Sequence, residues 1–299
     1  MAVLALDIGG TKIAAALVSD DGEVVRSVRG ATAADPWPVC LALLQEVRGT
    51  ETVDGVGVGS GGPMQWPSGR LSPLNIPGWR DFPLREALRE AFPGLPVRVH
   101  NDAACVAVGE HWRGAGRGVD DLVGMVVSTG VGGGLVLGGR LVDGAGGNAG
   151  HIGHVVVDPD GPDCVCGGRG CLEAVARGPA VVAAARAHGS TALDGVELAE
   201  QARGGDEVAV AAIARAGSAV GVGVASAAAL LDVRLVIIGG GFSSIGELFW
   251  APLQEAFARH ARLDFLAQTR VVPAELGGAA GLVGAAALVL AGDRYWSAD

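Results

Sequence analysis

His154, Cys164, Cys166 and Cys171 place one imidazole and three thiols within a single short stretch of chain. Cys-x-Cys-x4-Cys behind a histidine supplies the Cys3His donor set of a closed tetrahedral zinc site. Gly167, Gly168 and Gly170 let the loop curl until the thiolates face one ion. Small buried residues or a disulfide are the plainer readings. Three of five cysteines crowded beside a histidine favour the metal. Four protein donors leave no open position for water, so zinc here would be structural rather than catalytic. It would draw residues 150–154 toward Glu173, where polar side chains could read a ligand.

Three glycine-rich turns suggest a second kind of chemistry. Asp7-Ile8-Gly9-Gly10-Thr11-Lys12 separates the apolar runs 3–6 and 13–18, which predicts a β-hairpin. Its tip leaves the backbone N–H groups of Gly9 and Gly10 bare and adds donors from Thr11 and Lys12, as a phosphate requires. Asp7 could hold Mg²⁺, directly or through water. The tip is not a Walker loop, and an ordinary Gly-Gly turn is the alternative. Residues 122–137 repeat the pattern, with Thr129, Gly130, Gly132 and Gly133 between two apolar runs. Two such hairpins, each opening one half of the chain, suggest a duplicated fold with phosphate-facing tips across one cleft. Gly239, Gly240 and Gly241 end the apolar run 234–238, where a flat ring such as adenine could lie against backbone. A plain strand-to-helix turn competes with that reading. Asp102, in His100-Asn101-Asp102, stands between a strand and a helix and is either a helix cap or a catalytic carboxylate.

The positioning elements follow from pattern. Strands are expected at 23–29, 53–58, 97–99 and 271–273. Helices are expected at 36–48, 82–92, from 102 to about 112, 181–187, 196–203, 206–231, 249–262 and 277–290. Residues 64–79 read as an extended loop, and Cys40 and Cys105 as plain core residues on helix faces. The polar break 113–121 marks the expected division. Residues 1–113 form a smaller N-terminal α/β domain, and 114–276 a larger C-terminal one carrying the metal loop.

Of 299 residues, 49% are hydrophobic and 18% charged, which fills a large core and argues against disorder. Aromatics are only 4%, so that core is built from Ala, Val and Leu. A net charge of −10 disfavours a nucleic-acid partner. The start, with no basic region and Asp7 close behind, is not a signal peptide. No membrane span is expected, and reduced cysteines suit the cytoplasm.

DIGGTK at 7–12, HND at 100–102, STGVGGG at 128–134, GNAGHIGH at 147–154, CVCGGRGCLE at 164–173 and IIGGG at 237–241 together resemble the ROK family of bacterial sugar kinases and sugar-responsive repressors. The resemblance covers nearly the whole chain. It implies an actin/hexokinase-like (ribonuclease H-like) duplicated α/β fold, with two domains around a central cleft and the terminal helix, 277–299, packing back on the first. It implies transfer of phosphate from Mg²⁺·ATP to the 6-hydroxyl of a hexose or N-acetylhexosamine, with Asp102 as general base. Asn101, Asp102, His154 and Glu173 would bind sugar, and Gly62 and Asn75 align loosely with further sugar contacts. The two hairpins would take the ATP phosphates and Gly239 to Gly241 the adenosine. The family suggests a homodimer. Its repressors carry a DNA-binding segment ahead of the first strand, and with that strand starting so early none is expected here.

Glucokinases of the family usually have Glu-x-Gly-His where this chain has His151-Ile152-Gly153-His154. AGHIGH resembles bacterial N-acetylmannosamine kinases, as does the DPxGPxCxCG loop at 158–167. An acceptor-only carboxylate has become an imidazole that can also donate, so the favoured sugar should change. N-acetyl-D-mannosamine is the expected substrate, glucose the alternative, and a catalytically silent sugar sensor the alternative of another class.

Overall fold

Leu4, Leu6 and Ile8 line one face of the opening strand, and Val3 and Ala5 the other, so its sheet must be covered on both sides. In the computed structural model, which describes residues 1–298, it is. The chain begins β1 (Ala2–Ile8), β2 (Lys12–Ser19), β3 (Val24–Ala31), α1 (Trp37–Arg48) and β4 (Val56–Ser60). It continues β5 (Met64–Gln65), β6 (Arg70–Leu71), β7 (Phe82–Pro83), α2 (Leu84–Ala91), β8 (Val97–Asn101) and α3 (Asp102–Arg113). Then come β9 (Leu122–Val127), β10 (Val131–Leu137), β11 (Arg140–Leu141), α4 (Leu172–Ala176), α5 (Gly178–Ala187), α6 (Gly195–Arg203) and α7 (Glu207–Leu231). The last are β12 (Leu235–Gly239), α8 (Glu247–His260), β13 (Arg270–Pro273), α9 (Ala280–Leu290) and α10 (Gly292–Tyr295).

Two compact units result. The first comprises Met1–Asp120, Gly134–Gly150 and Glu275–Asp299, the second Asp121–Gly133 and His151–Ala274. Compared with the division expected at residue 113, the first unit also takes residues 134–150. Asn148 explains part of this: its amide accepts the Met64 N–H at 3.2 Å and donates to the Met64 carbonyl at 3.0 Å.

In the first unit the sheet order is β3-β2-β1-β4-β8, antiparallel across β3, β2 and β1 and parallel across β1, β4 and β8. Cys40, Leu44 and Val47 of α1 fill one side. Ala104, Cys105 and Val108 of α3 and Leu282, Ala285 and Ala286 of α9 fill the other. Glycine permits that second layer, because a Cβ on Gly57 would run into the Ala285 carbonyl and one on Gly284 into the Cys105 carbonyl. The second sheet has the order β11-β10-β9-β12-β13, with β9, β12 and β13 parallel. Both orders read 3-2-1-4-5 in local numbering, which is the topological mark of a duplicated unit.

Residues 64–79, expected as loop, contribute β5 and β6 to a small antiparallel sheet with β7. α7 is long and apolar enough by composition to cross a membrane, but half of that window is buried within the protein. It packs against α4, α5, α6 and α8, and Gly217 and Gly221 meet the α8 carbonyls of Phe249 and Leu253. It is a core helix of small residues.

Glu110 of α3 has no exposed surface. Its Oε2 accepts the Ala115 and Glu275 N–H groups at 3.0 and 3.1 Å, and its Oε1 the Leu276 N–H at 2.8 Å. One carboxylate thus holds two segments that flank the crossings between units. Glu110→Ala is expected to cost about 3–5 kcal/mol, since it removes the buried carboxylate that three part-buried N–H donors share. Calorimetry should show Tm lowered by roughly 6–15 °C; a shift under about 2 °C would refute the clamp.

Candidate functional site

Within the first unit, β1 delivers Asp7 and the turn at 9–12. Gly9 N–H bonds the Lys12 carbonyl at 3.0 Å, and Thr32 Oγ1 donates to the Gly9 carbonyl at 2.7 Å, which fixes the tip. Asn75 lies directly over this tip. A Cβ on Gly10 would come within 2.8 Å of the Asn75 side chain, and one on Gly61 within 3.2 Å of its Oδ1. The structure therefore joins Asn75 to the first hairpin and to the turn holding Gly62, whose carbonyl accepts the Leu74 N–H at 3.3 Å.

Asn101 and Asp102 stand where β8 becomes α3. Asn101 is the helix cap: its Oδ1 accepts the Ala103 and Ala104 N–H groups at 3.0 and 3.3 Å. Asp102 is the first helical residue, and its Oδ1 accepts the Ala103 N–H at 2.8 Å. The cap role belongs to Asn101, and Asp102 follows it in the first turn of α3. Burial, and then the Asp102 charge, push Asp7 up to about 7. Two carboxylates whose charges oppose each other are relieved by a cation or by a proton.

Within the second unit, the β9–β10 turn is closed by the Ser128 N–H on the Gly130 carbonyl at 2.9 Å. Glu173 reaches this turn, and its Oε2 accepts the Val131 N–H at 3.0 Å. Gly240 has φ +93°, and a Cβ there would run into the Val127 carbonyl, so only glycine fits. Thr129 and Gly241 line one cavity of about 1110 Å³, with Phe242, Pro179, Arg186 and Arg203 among its walls. A cavity of this volume is large enough for a small-molecule ligand. Phe242 and the arginines were not singled out from sequence, because α5, α6 and the turn after β12 meet only in the fold. Gly132 and Gly133 lie in β10 itself rather than at the tip.

The cysteine loop folds through two isolated bridges, Val156 with Cys171 and Asp163 with Arg169. Gly170 has φ +67°, and a Cβ there would strike the Asp158 carbonyl. His154 Nδ1 lies 3.8 Å from Cys164 Sγ, and Cys166 Sγ lies 3.8 Å from Cys171 Sγ. All four donor atoms fall within 4.8 Å of one another. Donors about 2.3 Å from a tetrahedral ion would be roughly 3.8 Å apart, so the set fits a zinc-sized ion. Burial and the neighbouring thiols push Cys171 up to about 12, whereas the Gly168 N–H holds Cys166 below the usual thiol value. Thiols this crowded resist losing their protons together, and a cation removes that resistance. His151 stacks beside His154, with ring centroids 6.1 Å apart and 19° between planes. Cys40 and Cys105 are fully buried free thiols in the core.

A family model described as ROK family matches residues 3–291. A glucokinase of Thermotoga maritima is 36% identical over 308 residues, covering 96% of this chain and 96% of that protein. An N-acetylmannosamine kinase of Shigella flexneri is 38% identical over 302 residues, covering 96% and 98%. The crystal structure of a ROK family glucokinase from Streptomyces griseus, in complex with glucose and AMPPNP, superposes with a TM-score of 0.85 at 36% identity, covering 97% of this chain and 99% of that one.

Proposed function

The chain belongs to the ROK family, has the actin/hexokinase-like fold and is an ATP-dependent sugar kinase, and we propose that it phosphorylates the 6-hydroxyl of a hexose or N-acetylhexosamine, N-acetyl-D-mannosamine foremost. What carries the choice of sugar is His151, an imidazole stacked on His154, at the position where, by the resemblance, glucokinases of the family usually have a glutamate. Identities of 36% and 38% to the two kinds of relative do not separate them, so the side chain must. The test is ADP release in a coupled assay with N-acetylmannosamine, glucose, N-acetylglucosamine, mannose and allose. Turnover on N-acetylmannosamine at least tenfold above glucose is the expected result. Glucose ahead makes the chain a glucokinase with a tolerated histidine. Silence on every sugar by folded, metal-loaded protein makes it a sensor.

The reaction leaves the protein mainly positioning and charge stabilisation, because the transition state is loose and negative. Asp102 accepts the proton of the attacking hydroxyl. Asn101 of the first unit and His151, His154 and Glu173 of the second are the sugar ligands of this reading, and Gly62 and Asn75 of the first unit its further sugar contacts. Backbone N–H groups of Gly10, Thr11, Thr129 and Gly130 meet the phosphates, the Gly9 and Val131 amides being held by the Lys12 carbonyl and Glu173, and the cavity at Thr129 and Gly241 takes the adenosine of ATP. Mg²⁺ would be held near Asp7 and supplies neutralisation of the phosphate charge.

Zinc would be held by His154 Nδ1 and the thiolates of Cys164, Cys166 and Cys171, and supplies a rigid anchor for the loop. His154 then keeps Nε2 for the sugar. Chelation, or Cys171→Ser, is expected to remove at least nine-tenths of turnover and to lower Tm, and added zinc should restore the chelated protein but not the variant. Full turnover with less than a tenth of an ion per chain would refute this role. The free thiols suit a cytoplasmic enzyme, and the family suggests a homodimer, to be checked by light scattering.

A further inference from the structure

His100 immediately precedes Asn101 and Asp102, and its side chain has no exposed surface. Its Nδ1 accepts the Asn101 backbone N–H at 2.8 Å. Its Nε2 lies 3.1 Å from Asp143 Oδ1. A ring nitrogen that accepts an amide hydrogen carries a lone pair, so these partners assign the proton to Nε2, facing Asp143. Both nitrogens are then satisfied in a neutral imidazole. The Trp66 ring, 5.2 Å away centre to centre, closes one side of the imidazole and limits its rotation.

Asp143 divides its contacts. Its Oδ2 accepts the Ser297 hydroxyl at 2.6 Å. Its backbone carbonyl accepts the Ala149 N–H at 3.1 Å and closes the turn that carries Asn148. Asn148 is in turn bonded twice to Met64. A continuous chain of hydrogen bonds thus runs from the Asn101 amide through His100 and Asp143 to the 143–149 turn and to the last residues of the chain.

We propose that His100 is a positioning residue for phosphoryl transfer, fixing the β8 end that presents Asn101 and Asp102 by locking it through Asp143 to the 143–149 turn. The inference rests on the kinase reading above. His100 touches no substrate. It removes one freedom of the base, the tilt of the β8–α3 junction, and a misplacement of about 1 Å at a base costs on the order of 10²-fold in rate. The lock is internal to the first unit and is built from four segments distant in sequence.

The test compares His100→Phe, Asp143→Leu, the double variant and Asp143→Asn by steady-state kinetics, after melting curves show each is folded. His100→Phe and Asp143→Leu should each lower kcat 10- to 100-fold and leave KM for ATP within twofold. The double variant should be no worse than the poorer single, since both cut one connection. Asp143→Asn, whose amide oxygen still accepts from Nε2, should retain at least a third of kcat. If His100→Phe does not fold, Asp143→Leu carries the test, because Asp143 is at the margin of the core (12% exposed). A folded variant with kcat within twofold of the parent, or losses that multiply in the double variant, overturns the proposal. So does a ¹⁵N imidazole spectrum of the parent protein with the proton on Nδ1. A parent enzyme silent on every sugar removes the kinase reading itself; an active parent with an indifferent His100→Phe removes only the positioning role.

Discussion

Asp102→Asn is expected to lower kcat by ~10²–10⁴-fold and to leave the protein folded, with KM for ATP changed no more than severalfold. The separation is possible because the two jobs at the β8–α3 junction fall to different residues. Asn101 caps the helix by accepting two N–H groups, so α3 does not depend on the Asp102 carboxylate for its start. Asparagine at 102 keeps an oxygen for the Ala103 N–H, at the position where Oδ1 now accepts it at 2.8 Å. What it cannot do is take a proton from a sugar hydroxyl. Asn101→Ala is the control, because it should cost about 1 kcal/mol of stability through the lost cap. If the Asp102→Asn protein keeps more than a tenth of kcat, the base is elsewhere and the sugar-kinase mechanism must be rewritten around another group.

How much of this was legible in the sequence depended on the reach of the signal. The hairpin at 7–12 is local: two apolar runs, two glycines and a polar tip, and the structure forms it with β1 and β2 in continuous register. The four metal-type donors are also local, and spacing alone was enough to group them. The small sheet of β5, β6 and β7 was missed, since strands of two residues are too short for an alternating pattern to show. Gly132 and Gly133 read as part of a glycine-rich tip between two apolar runs, yet β10 begins at Val131 and runs through three glycines, so neighbouring strands impose an extended chain on residues that do not favour one. His100 was visible only as the first letter of a motif. Its partner Asp143 is 43 residues on, and Ser297 a further 154, and no pattern in one sequence joins them. The same holds for Asn75 over Gly10. The boundary of the first unit follows this rule too, because residues 134–150 belong with it through contacts such as Asn148 to Met64 rather than through any change in composition.

Asp7→Asn is expected to move stability and turnover in opposite directions. Burial, with the charge of Asp102 added, raises the Asp7 carboxyl from 3.8 to about 7 in the folded protein. Between those values the folded chain binds more protons at this site than the unfolded chain, so stability falls as pH rises from about 4 to about 7 and is level beyond. The full effect is on the order of 4 kcal/mol, three pH units at ~1.36 kcal/mol each. An asparagine at 7 has no proton to lose and escapes this penalty. Without Mg²⁺ the variant should therefore melt above the parent at pH 8 by several degrees, and the gap should close toward pH 4 as the parent protonates. Mg²⁺·ATP should raise the Tm of the parent but do little for the variant, whose neutral amide is a poor ligand for a hard cation. Turnover of the variant should fall at least 100-fold at every pH. Such an outcome would mean that the first hairpin holds a carboxylate at the expense of stability so that its charge is available to the metal, as is usual where a site needs a group that the fold alone does not favour. Parallel melting profiles for parent and variant from pH 4 to pH 8 would show that Asp7 is not strained by its surroundings, and would remove the reason for assigning the cation to it.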